Sequence, residues 1–432
     1  MCGIAGLVRR NGAPVTPEMI TRMTDAVAHR GPDGGDHLIE GPMALGHRRL
    51  SIIDLSESGR QPMSYDSGRF VVTYNGEIYN YIELRAELQA LGHVFTNGTD
   101  TEVLLAAYAQ WGADCVSRFN GMWGFAILDR PRNVLFCARD RYGVKPFYYV
   151  DRPELFAFGS EIRQLLPLLD GNRVDLDTLR TYLVTDAAEL SAATFFKDVR
   201  KLPGGHTLTY DLATHQIRIE PFYRITLRPE VRRLGEGEAI EAFSELLQDA
   251  VRLRLRSDVK VGTCLSGGLD SSSVATLASE LYRAANGGKF SAITAVSEQE
   301  SNNEARYAEQ VVGAADLDWH QTRPTYADFV DTLPEIVRVQ EEPYGSPSIS
   351  MQYFVMKTAR ENGITVLLDG QGGDETLLGY EKYYAAYIFS TMRGSGPVAA
   401  LAAMRSVAAN NSKMGPLNIA KYLGGGLVAP GR

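Results

Sequence analysis

The chain has 432 residues, 44% of them hydrophobic and 22% charged, a composition typical of a globular protein of two or three domains. Its net charge of −8 provides no basic surface for nucleic acid or an anionic membrane, so we expect neither partner. The four cysteines lie far apart without CxxC spacing, and no signal sequence or membrane-spanning run is found. The sequence therefore predicts a cytoplasmic protein without a disulfide framework.

The first half of the chain, to about residue 215, predicts short strands, glycine-rich turns and a few helices. The strand-like runs are GIAGLV, FVVTYNGEI, WGFAILD, VLFCARD, KPFYYV and LFAFGS. Helical spacing of apolar residues is found in TPEMITRMTDAVAH, IELRAELQALG and TDTEVLLAAYAQWGA. This half is predicted to be an α+β domain with layered sheets.

In the second half, helices and strands alternate. The predicted helices are EAIEAFSELLQDAVRLRLRS, SSSVATLASELYRAA, EARYAEQVVGAA and MQYFVMKTARENG, and the predicted strands are VKVGTCL, FSAITAVS and ITVLLDG. Such alternation indicates a parallel, doubly wound sheet. We predict a first domain at 1–212, a linker at 213–235 and a second domain at 236–432.

The chain opens MCGIAG, with Cys2 directly behind the initiator methionine. Met1 is readily removed before a small side chain, and the thiol would then lie beside a free α-amine. Such an amine titrates at roughly 7.7 to 8.0 and can accept the thiol proton near neutral pH. Taken alone, a cysteine at position 2 does not distinguish a nucleophile from an incidental residue.

The loop LSGGLDSSS, residues 265–273, lies between a predicted strand and a predicted helix. Its glycines let the backbone approach an anion, and Ser271 and Ser272 would offer hydroxyls and helix-start amides to phosphate oxygens. It lacks the lysine of a Walker motif. SGGLDSS instead resembles the pyrophosphate-binding loop of enzymes that split ATP into AMP and pyrophosphate. The alternative is a tight turn with a serine cap.

A second glycine-rich loop, LLDGQGGDETLLGY at 367–380, has Glu375 where a dinucleotide fingerprint needs its third glycine. Placed at the carboxyl edge of the same sheet, its Asp374 could join Asp270 of the first loop. Two carboxylates would then bind a Mg²⁺ ion that balances the triphosphate charge. The alternative is a turn with a solvated acidic pair.

The first half contains polar residues suited to a free amino acid substrate. Arg49 could bind its carboxylate, and Glu77 and Asp100 its ammonium group. Asn75 and the backbone of Gly76 could donate to the oxyanion of an acyl-transfer reaction. Each assignment is weak singly, and Asp100 could equally cap the helix that follows it.

Together these motifs resemble a glutamine-dependent asparagine synthetase of the bacterial B type, over nearly all of the chain to about Tyr384. The first half shares MCGIAG, HRGPDG, HRRLSIID, YNGEIYNY, RDRYGVKPFYY and KLPGGH, and the second half shares LSGGLDSS, QEEPYGSPS and LLDGQGGDE. The resemblance implies a four-layer (αββα) N-terminal nucleophile (Ntn) hydrolase glutaminase. A parallel-sheet PP-loop ATP pyrophosphatase, related to adenine nucleotide α-hydrolases and incomplete here, would follow it.

The resemblance also implies the roles of individual residues. Cys2 would attack glutamine, Asn75 and Gly76 would form the oxyanion hole, and Arg49, Asn75, Glu77 and Asp100 would bind glutamine. Asp270 and Asp374 would bind Mg²⁺. The implied ATP-binding residues are Leu265, Ser266, Gly267, Gly268, Leu269, Asp270, Ser271, Ser272, Val296, Asp369 and Gly370. Aspartate would be adenylated by ATP, the co-substrate, and ammonia carried from the first site would displace AMP. A homodimer is the expected assembly.

The sequence departs from this family at two places. Gln371 stands where some synthetases have a glutamate that assists amide formation, and the closing GGGLVAPGR matches nothing in the longer family members. The chain thus resembles a synthetase truncated at its C-terminus. Two alternatives remain open: amidation of another carboxylate, such as a peptide or a sugar acid, or a glutaminase joined to an inactive nucleotide-binding half.

Overall fold

The computed structural model describes residues 1–188, 190–226, 228–299 and 303–410. The described residues form two compact units. One contains Met1–Gly262, Ala295–Glu298 and Gln321–Leu367, and the other is drawn from Thr263–Thr294, Gln299–His320 and Leu368–Arg432. Within the described ranges no helix has the length and apolarity needed to cross a membrane. The closing GGGLVAPGR lies outside the described residues.

Two six-stranded antiparallel sheets make up most of the first half, with strand orders β10-β8-β9-β1-β3-β2 and β12-β11-β7-β6-β5-β4. The strands are β1 (Gly3–Arg9), β2 (Gly34–Glu40), β3 (Met43–Arg49), β4 (Met63–Tyr65), β5 (Phe70–Ile78), β6 (Gly121–Asp129), β7 (Val134–Arg139), β8 (Tyr148–Arg152), β9 (Leu155–Gly159), β10 (Arg200–Lys201), β11 (His206–Asp211) and β12 (Ile217–Pro221). The helices are α1 (Pro17–Asp25), α2 (Tyr81–Ala90), α3 (Asp100–Trp111), α4 (Cys115–Arg118) and α5 (Leu176–Thr185).

Alternating side chains of the strands build the layers of this half. Ile4 and Val8 of β1 pack with Val71 of β5 between the two sheets. Ala5 and Leu7 point from the opposite face of β1 into a second core under α1. The outer face of the second sheet packs on α2 and α3. The order helix, sheet, sheet, helix confirms the predicted four-layer fold.

A four-stranded sheet of order β15-β14-β13-β16 forms in the second half. The N–H of Thr365 donates to Lys260, and farther along the Thr263 hydroxyl donates to the Leu368 carbonyl, so β13 and β16 run parallel. The strands are β13 (Val261–Cys264), β14 (Ser291–Ala295), β15 (Asp318–Thr322) and β16 (Val366–Leu368). The helices are α6 (Glu236–Arg254), α7 (Leu269–Asn286), α8 (Ala305–Ala315), α9 (Tyr326–Gln340), α10 (Ser348–Glu361), α11 (Gly373–Leu377), α12 (Glu381–Ser395) and α13 (Pro397–Asn410).

The strand order places the two glycine-rich loops together. Along the chain, β14 and then β15 are added on one side of β13, whereas β16 is added on its other side. The strand order therefore reverses between β13 and β16. Ligands of open parallel sheets bind outside the carboxyl ends of the strands at such a reversal. LSGGLDSSS follows β13 and LLDGQGGDE follows β16.

Several element boundaries differ from the sequence predictions. Helix α1 ends at Asp25, because Ala26 and Val27 continue as turns, whereas the apolar spacing predicted a helix to His29. The predicted linker 213–235 contains β12, which pairs with β11. The hairpin of β2 and β3 has no place among the predicted strands, since its GHRR segment lacks strict alternation.

Candidate active site

Every residue predicted to act on glutamine lines one pocket in the first half of the chain: Cys2, Arg49, Asn75, Gly76, Glu77 and Asp100. The register of the strands brings them there. Because Gly3 of β1 pairs with Arg48 of β3, Cys2 lies opposite the end of β3. The segment Asn75–Glu77 lies near the end of β5. The short β4 pairs only with residues 70–72 of β5, so it leaves this edge of residues 75–77 open. Sequence-distant side chains thus converge at one end of the two sheets.

The Cys2 thiol is held by the backbone of Leu50. The Leu50 N–H donates to Sγ at 3.4 Å, and Sγ lies 3.6 Å from the Leu50 carbonyl oxygen. Burial raises the pKa of the Cys2 thiol, so its ionisation depends on a nearby base. Desolvation lowers the pKa of the α-amine that begins the chain, on Met1, to about 6. An amine in this buried position is therefore mostly neutral at pH 7 and able to accept a proton.

Asn75 provides a donor that no described residue uses. Its side chain is 1% exposed, and its amide nitrogen has no hydrogen-bond partner among the described residues. A buried amide N–H without a partner costs about 1–3 kcal/mol, a penalty that a substrate oxygen could remove. This observation fits the predicted oxyanion hole.

The backbone N–H of Gly76 points to the same edge of β5 as those of Tyr74 and Ile78, because alternate residues of an antiparallel strand share an edge. Tyr74 donates there to Gln61 Oε1 at 2.7 Å, and Ile78 donates to Asp100 at 2.9 Å. The Gly76 N–H lies between them on the pocket side. A Cβ atom at Gly76 would be 2.3 Å from the Met122 carbonyl oxygen, so glycine is required there.

Asp100 is fixed by hydrogen bonds that the sequence did not predict. Its Oδ2 accepts from the Ile78 N–H at 2.9 Å and from the Tyr74 hydroxyl at 2.8 Å. The alternative that Asp100 caps α3 is wrong, because Thr99 is the N-cap and accepts from the Glu102 N–H. Burial raises the pKa of Asp100, while these bonds oppose the rise.

Glu77 lies near a lysine that sequence reasoning missed. Burial raises the pKa of Glu77 to about 7, against the opposing effect of Lys145. Lys145 is partly buried, and desolvation lowers its pKa while Glu77 raises it. Lys145 belongs to the shared motif RDRYGVKPFYY. Its position in this motif, next to a proline in the turn before β8, is the feature of the sequence that could have identified it.

Arg49 ends β3 and lines the pocket. Its guanidinium donates to the carbonyl oxygens of Ser56 at 2.7 Å and Asp54 at 2.5 Å. These two hydrogen bonds hold the loop that follows β3. An arginine has five N–H donors, so these two bonds leave others for a substrate carboxylate.

Arg30, from the motif HRGPDG, orients the first residues. Its Nε donates to the Cys2 carbonyl oxygen at 2.9 Å and its Nη1 to Glu161 at 2.9 Å. Neither Arg30 nor Glu161 was predicted as a site residue, because their roles depend on a contact across 131 positions of sequence.

The loop between β13 and α7 has the backbone expected of an anion-binding turn. Gly267 has φ +89°, and a Cβ atom there would be 2.6 Å from the Ala308 nitrogen. Gly268 is the N-cap of the 18-residue α7. The hydroxyls of Ser266 and Ser271 lie 2.9 Å apart. The Ser272 hydroxyl is buried without a hydrogen-bond partner among the described residues, which leaves it for a ligand oxygen.

The loop after β16 contacts this turn through glycines. A Cβ atom at Gly370 would lie 2.7 Å from the Ser271 nitrogen, and one at Gly373 would lie 2.2 Å from Asp270 Oδ2. Desolvation, followed by the negative charge of Asp374, raises the pKa of Asp270. Two carboxylates that repel one another fit a shared cation, although no described group of three or more acidic, His or Cys residues forms a metal site.

The remaining predicted ATP-binding residues have different environments. Leu265 is buried and Leu269 is exposed. Asp369 accepts a hydrogen bond from the Gln371 N–H at 3.2 Å. Val296 is assigned to the other compact unit, where its N–H donates to Thr322.

Comparison with known proteins supports both halves. Residues 1–223 match the family described as a glutamine amidotransferase domain, and residues 242–423 match the asparagine synthase family. A protein of Methanocaldococcus jannaschii, provisionally named glutamine-hydrolysing asparagine synthetase 2, is 35% identical over 415 residues, covering 91% of this chain and 78% of its own. The chain belongs to the glutamine-hydrolysing asparagine synthetase family.

Two relatives from Bacillus subtilis extend the comparison. Glutamine-hydrolysing asparagine synthetases 1 and 3 of that organism are 32% and 33% identical to this chain. The alignments cover 89% and 90% of this chain but 59% and 65% of those relatives. This synthetase-family chain therefore spans less than two thirds of the length of these two relatives.

Proposed function

We propose that the chain is a glutamine-dependent asparagine synthetase. It hydrolyses glutamine at Cys2 and uses the ammonia to convert aspartate, with ATP, into asparagine, AMP and pyrophosphate. The observation that carries this proposal is a pocket that joins the Cys2 thiol, the acidic pair Glu77 and Asp100, and the Asn75 amide nitrogen, which has no hydrogen-bond partner among the described residues. A cytoplasmic location and a homodimer stay predictions.

Glutamine hydrolysis begins once Met1 is removed and the α-amine of Cys2 is free. This amine accepts the thiol proton, and Sγ attacks the side-chain amide carbon of glutamine. The Asn75 amide and the Gly76 N–H donate to the developing oxyanion. The carbon–nitrogen bond breaks, ammonia leaves with the transferred proton, and water hydrolyses the thioester to release glutamate. Burial lowers the pKa of the Met1 amine, one residue away, and comparable burial of the Cys2 amine would favour its neutral form.

The amino acid end of glutamine is bound by charge complementarity. Arg49 donates to the α-carboxylate, while Glu77 and Asp100 accept from the α-ammonium group. Lys145 opposes the rise in the pKa of Glu77. Burial nevertheless raises the pKa of Glu77 to about 7, so this carboxyl group is partly protonated near pH 7 in the empty pocket. A bound ammonium group would favour its ionised form.

ATP is bound by the two glycine-rich loops. Backbone amides at the start of α7 and the hydroxyls of Ser271 and Ser272 donate to phosphate oxygens. Asp270 and Asp374 would hold the Mg²⁺ ion, which when bound neutralises phosphate charge. The aspartate β-carboxylate then attacks the α-phosphorus, and pyrophosphate leaves. Ammonia attacks the resulting acyl carbon and AMP departs. Because Gln371 is an amide, the base that takes the proton from ammonia is unassigned.

A second candidate is amidation of a carboxylate other than aspartate. The ATP chemistry would be unchanged, and only the acceptor would differ.

Pyrophosphate release tests the proposal. The 432-residue chain is given Mg-ATP and ammonium, with and without aspartate. Aspartate-dependent release with asparagine as product supports the synthetase. Release with another carboxylate, such as a sugar acid, and none with aspartate would support the second candidate. Glutamine hydrolysis without any ATP turnover would leave a glutaminase joined to an inactive nucleotide-binding half.

A further inference from the structure

A chain of charged groups leads from the backbone of Cys2 to the end of α9, within one compact unit. Arg30 donates to the Cys2 carbonyl oxygen and to Glu161, at 2.9 Å each. Nε of Arg163 donates its N–H to Glu341 Oε1 at 2.8 Å and lies 3.0 Å from the other Glu161 oxygen, Oε2, an ion pair in which Oε2 accepts no hydrogen bond from a described residue. The nucleophile is thus connected to Glu341 through three side chains.

These side chains are largely excluded from water. The exposed fractions are 8% for Arg30, 10% for Glu161, 16% for Arg163 and 10% for Glu341. Ion pairs with so little exposure are weakly screened, and loss of the Glu341 charge would leave Arg163 paired with Glu161 alone. A change in the charge or position of Glu341 therefore alters the electrostatic interactions of Arg163 and Glu161, with little screening by solvent.

Glu341 has a backbone conformation that its residue type does not favour. It ends α9 with φ +64°, a left-handed conformation usually adopted by glycine or asparagine. Its carboxylate accepts three hydrogen bonds of 2.8 Å, from the N–H groups of Ile162 and Arg163 and from Arg163 Nε. The side-chain contacts, and not the backbone preference, thus explain a glutamate at this position.

The next residue fastens the same segment at a second point. Glu342 Oε1 accepts from the Phe195 N–H at 2.8 Å, and Oε2 lies 3.8 Å from Lys201 Nζ. Beyond it, the segment borders a cavity lined by Phe329 and Leu333 of α9. The segment is therefore held at its start by the hydrogen bonds of Glu341 and Glu342, and the cavity beside its later residues leaves room for them to move.

We propose that Arg163 and Glu341 are positioning residues for Cys2, through which glutamine hydrolysis responds to the conformation of the QEEPYGSPS segment, residues 340–348. The inference rests on the proposed glutaminase. The segment belongs to the part of the chain that matches asparagine synthase, residues 242–423. A displacement of Glu341 would release Arg163 and shift Glu161 and Arg30. The Cys2 thiol would then move out of its attack geometry, and a misplacement of about 1 Å is enough to slow such a reaction by about a hundredfold.

The test compares Glu341→Gln with the wild type and with Glu335→Gln. Glu335 lies on the same helix and pairs with the exposed Arg338, so its variant is a matched control. Glutamine hydrolysis is measured with and without Mg-ATP and aspartate. We expect these ligands to change the wild-type and Glu335→Gln rates several-fold. In Glu341→Gln we expect kcat to fall about tenfold with KM nearly unchanged, and the response to the ligands to be lost.

A double-variant cycle tests whether the two residues act as one unit. If they do, Arg163→Ala combined with Glu341→Ala lowers kcat no further than either change alone. Multiplied losses in the double variant, or a wild-type rate that ignores both ligands, would overturn the proposal. Should Glu341→Gln melt at a much lower temperature, Arg163→Lys gives the same test, because lysine keeps the charge but cannot reproduce the guanidinium contacts.

Alkylation of Cys2 separates this inference from the proposed function. If the wild type hydrolyses no glutamine, the proposed function fails, yet the rate of Cys2 alkylation by iodoacetamide still measures the position of the thiol. We expect that rate to change several-fold in Glu341→Gln and not in Glu335→Gln. Equal rates in all three proteins would contradict the positioning role.

Discussion

The pocket around Cys2 and the two glycine-rich loops are built on different principles. In the pocket the polar groups are side chains buried at one end of the two sheets: Asn75 is 1% and Asp100 5% exposed. In the loops the donors are backbone amides and hydroxyls at the open start of a helix, where Ser266 and Gly268 are exposed. An acyl-transfer site needs a desolvated amine and oriented neutral donors, whereas a triphosphate needs many donors and keeps part of its hydration.

Charge states follow the same difference. Burial lowers the pKa of the Met1 amine to about 6 and raises that of Glu77 to about 7, so both titrate near neutral pH. In the loops the shift at Asp270 is a rise caused by desolvation and by Asp374. A bound cation would offset the repulsion from Asp374, whereas the shift at Glu77 arises within the protein itself; the Met1 amine is present only until Met1 is removed.

The largest expected effect is that of Cys2→Ala. Glutamine hydrolysis should fall by about a thousandfold or more, because no other thiol lines the pocket among the described residues. Ammonia-dependent pyrophosphate release should be unchanged. The measurement is glutamate and pyrophosphate production by the same preparation, and equal loss of both would contradict two separable sites.

Asp270→Asn should remove the complementary activity. We expect ATP turnover to fall by about a hundredfold, because one of the two carboxylates proposed to bind the cation is lost, while glutamine hydrolysis persists. Glu280→Gln, an exposed change on the same helix, serves as the control. Full ATP turnover in Asp270→Asn, measured as pyrophosphate release, would refute the assignment of this loop.

Glu77→Gln should change how stability depends on pH. Since the folded-state pKa of Glu77 is raised to about 7, the group favours folding below its ordinary value of 4.5, and that contribution is lost as the pH rises through 7. The free energy of unfolding of the variant, relative to the wild type, should therefore grow by about 3 kcal/mol between pH 4 and pH 8. Urea unfolding at several pH values measures this, and a constant difference would contradict it.

Ser272→Ala should have the smallest effect. Its buried hydroxyl has no partner among the described residues, so its removal should leave the melting temperature unchanged or slightly higher. If the hydroxyl donates to a phosphate, KM for ATP should rise several-fold. Ser273→Ala, which removes a bond to the Leu269 carbonyl on the same helix, is the matched control. A KM shift in the control alone would place the phosphate contact elsewhere.

Sequence reasoning succeeded where the chemistry is encoded locally. Both glycine-rich loops follow strands as predicted, the first also precedes its predicted helix, and GIAGLV and FVVTYNGEI correspond to strands β1 and β5. It failed where a role depends on a distant partner. Asp100 could not be distinguished from a helix cap until Tyr74 and Ile78 were seen to donate to it, and Lys145 emerged only through its proximity to Glu77.

The sequence by itself determined the two-domain organisation, the position of the candidate nucleophile and the glycine-rich loops, because a chain position, a residue type and a turn conformation are local properties. Tertiary structure alone decided the rest. The register of β1 against β3 brings Cys2 to Leu50, and burial between the sheets moves the pKa of Glu77 to about 7. The connection from Arg30 to Glu341 likewise joins residues more than 300 positions apart, since ion pairs depend on distance in space and not along the chain.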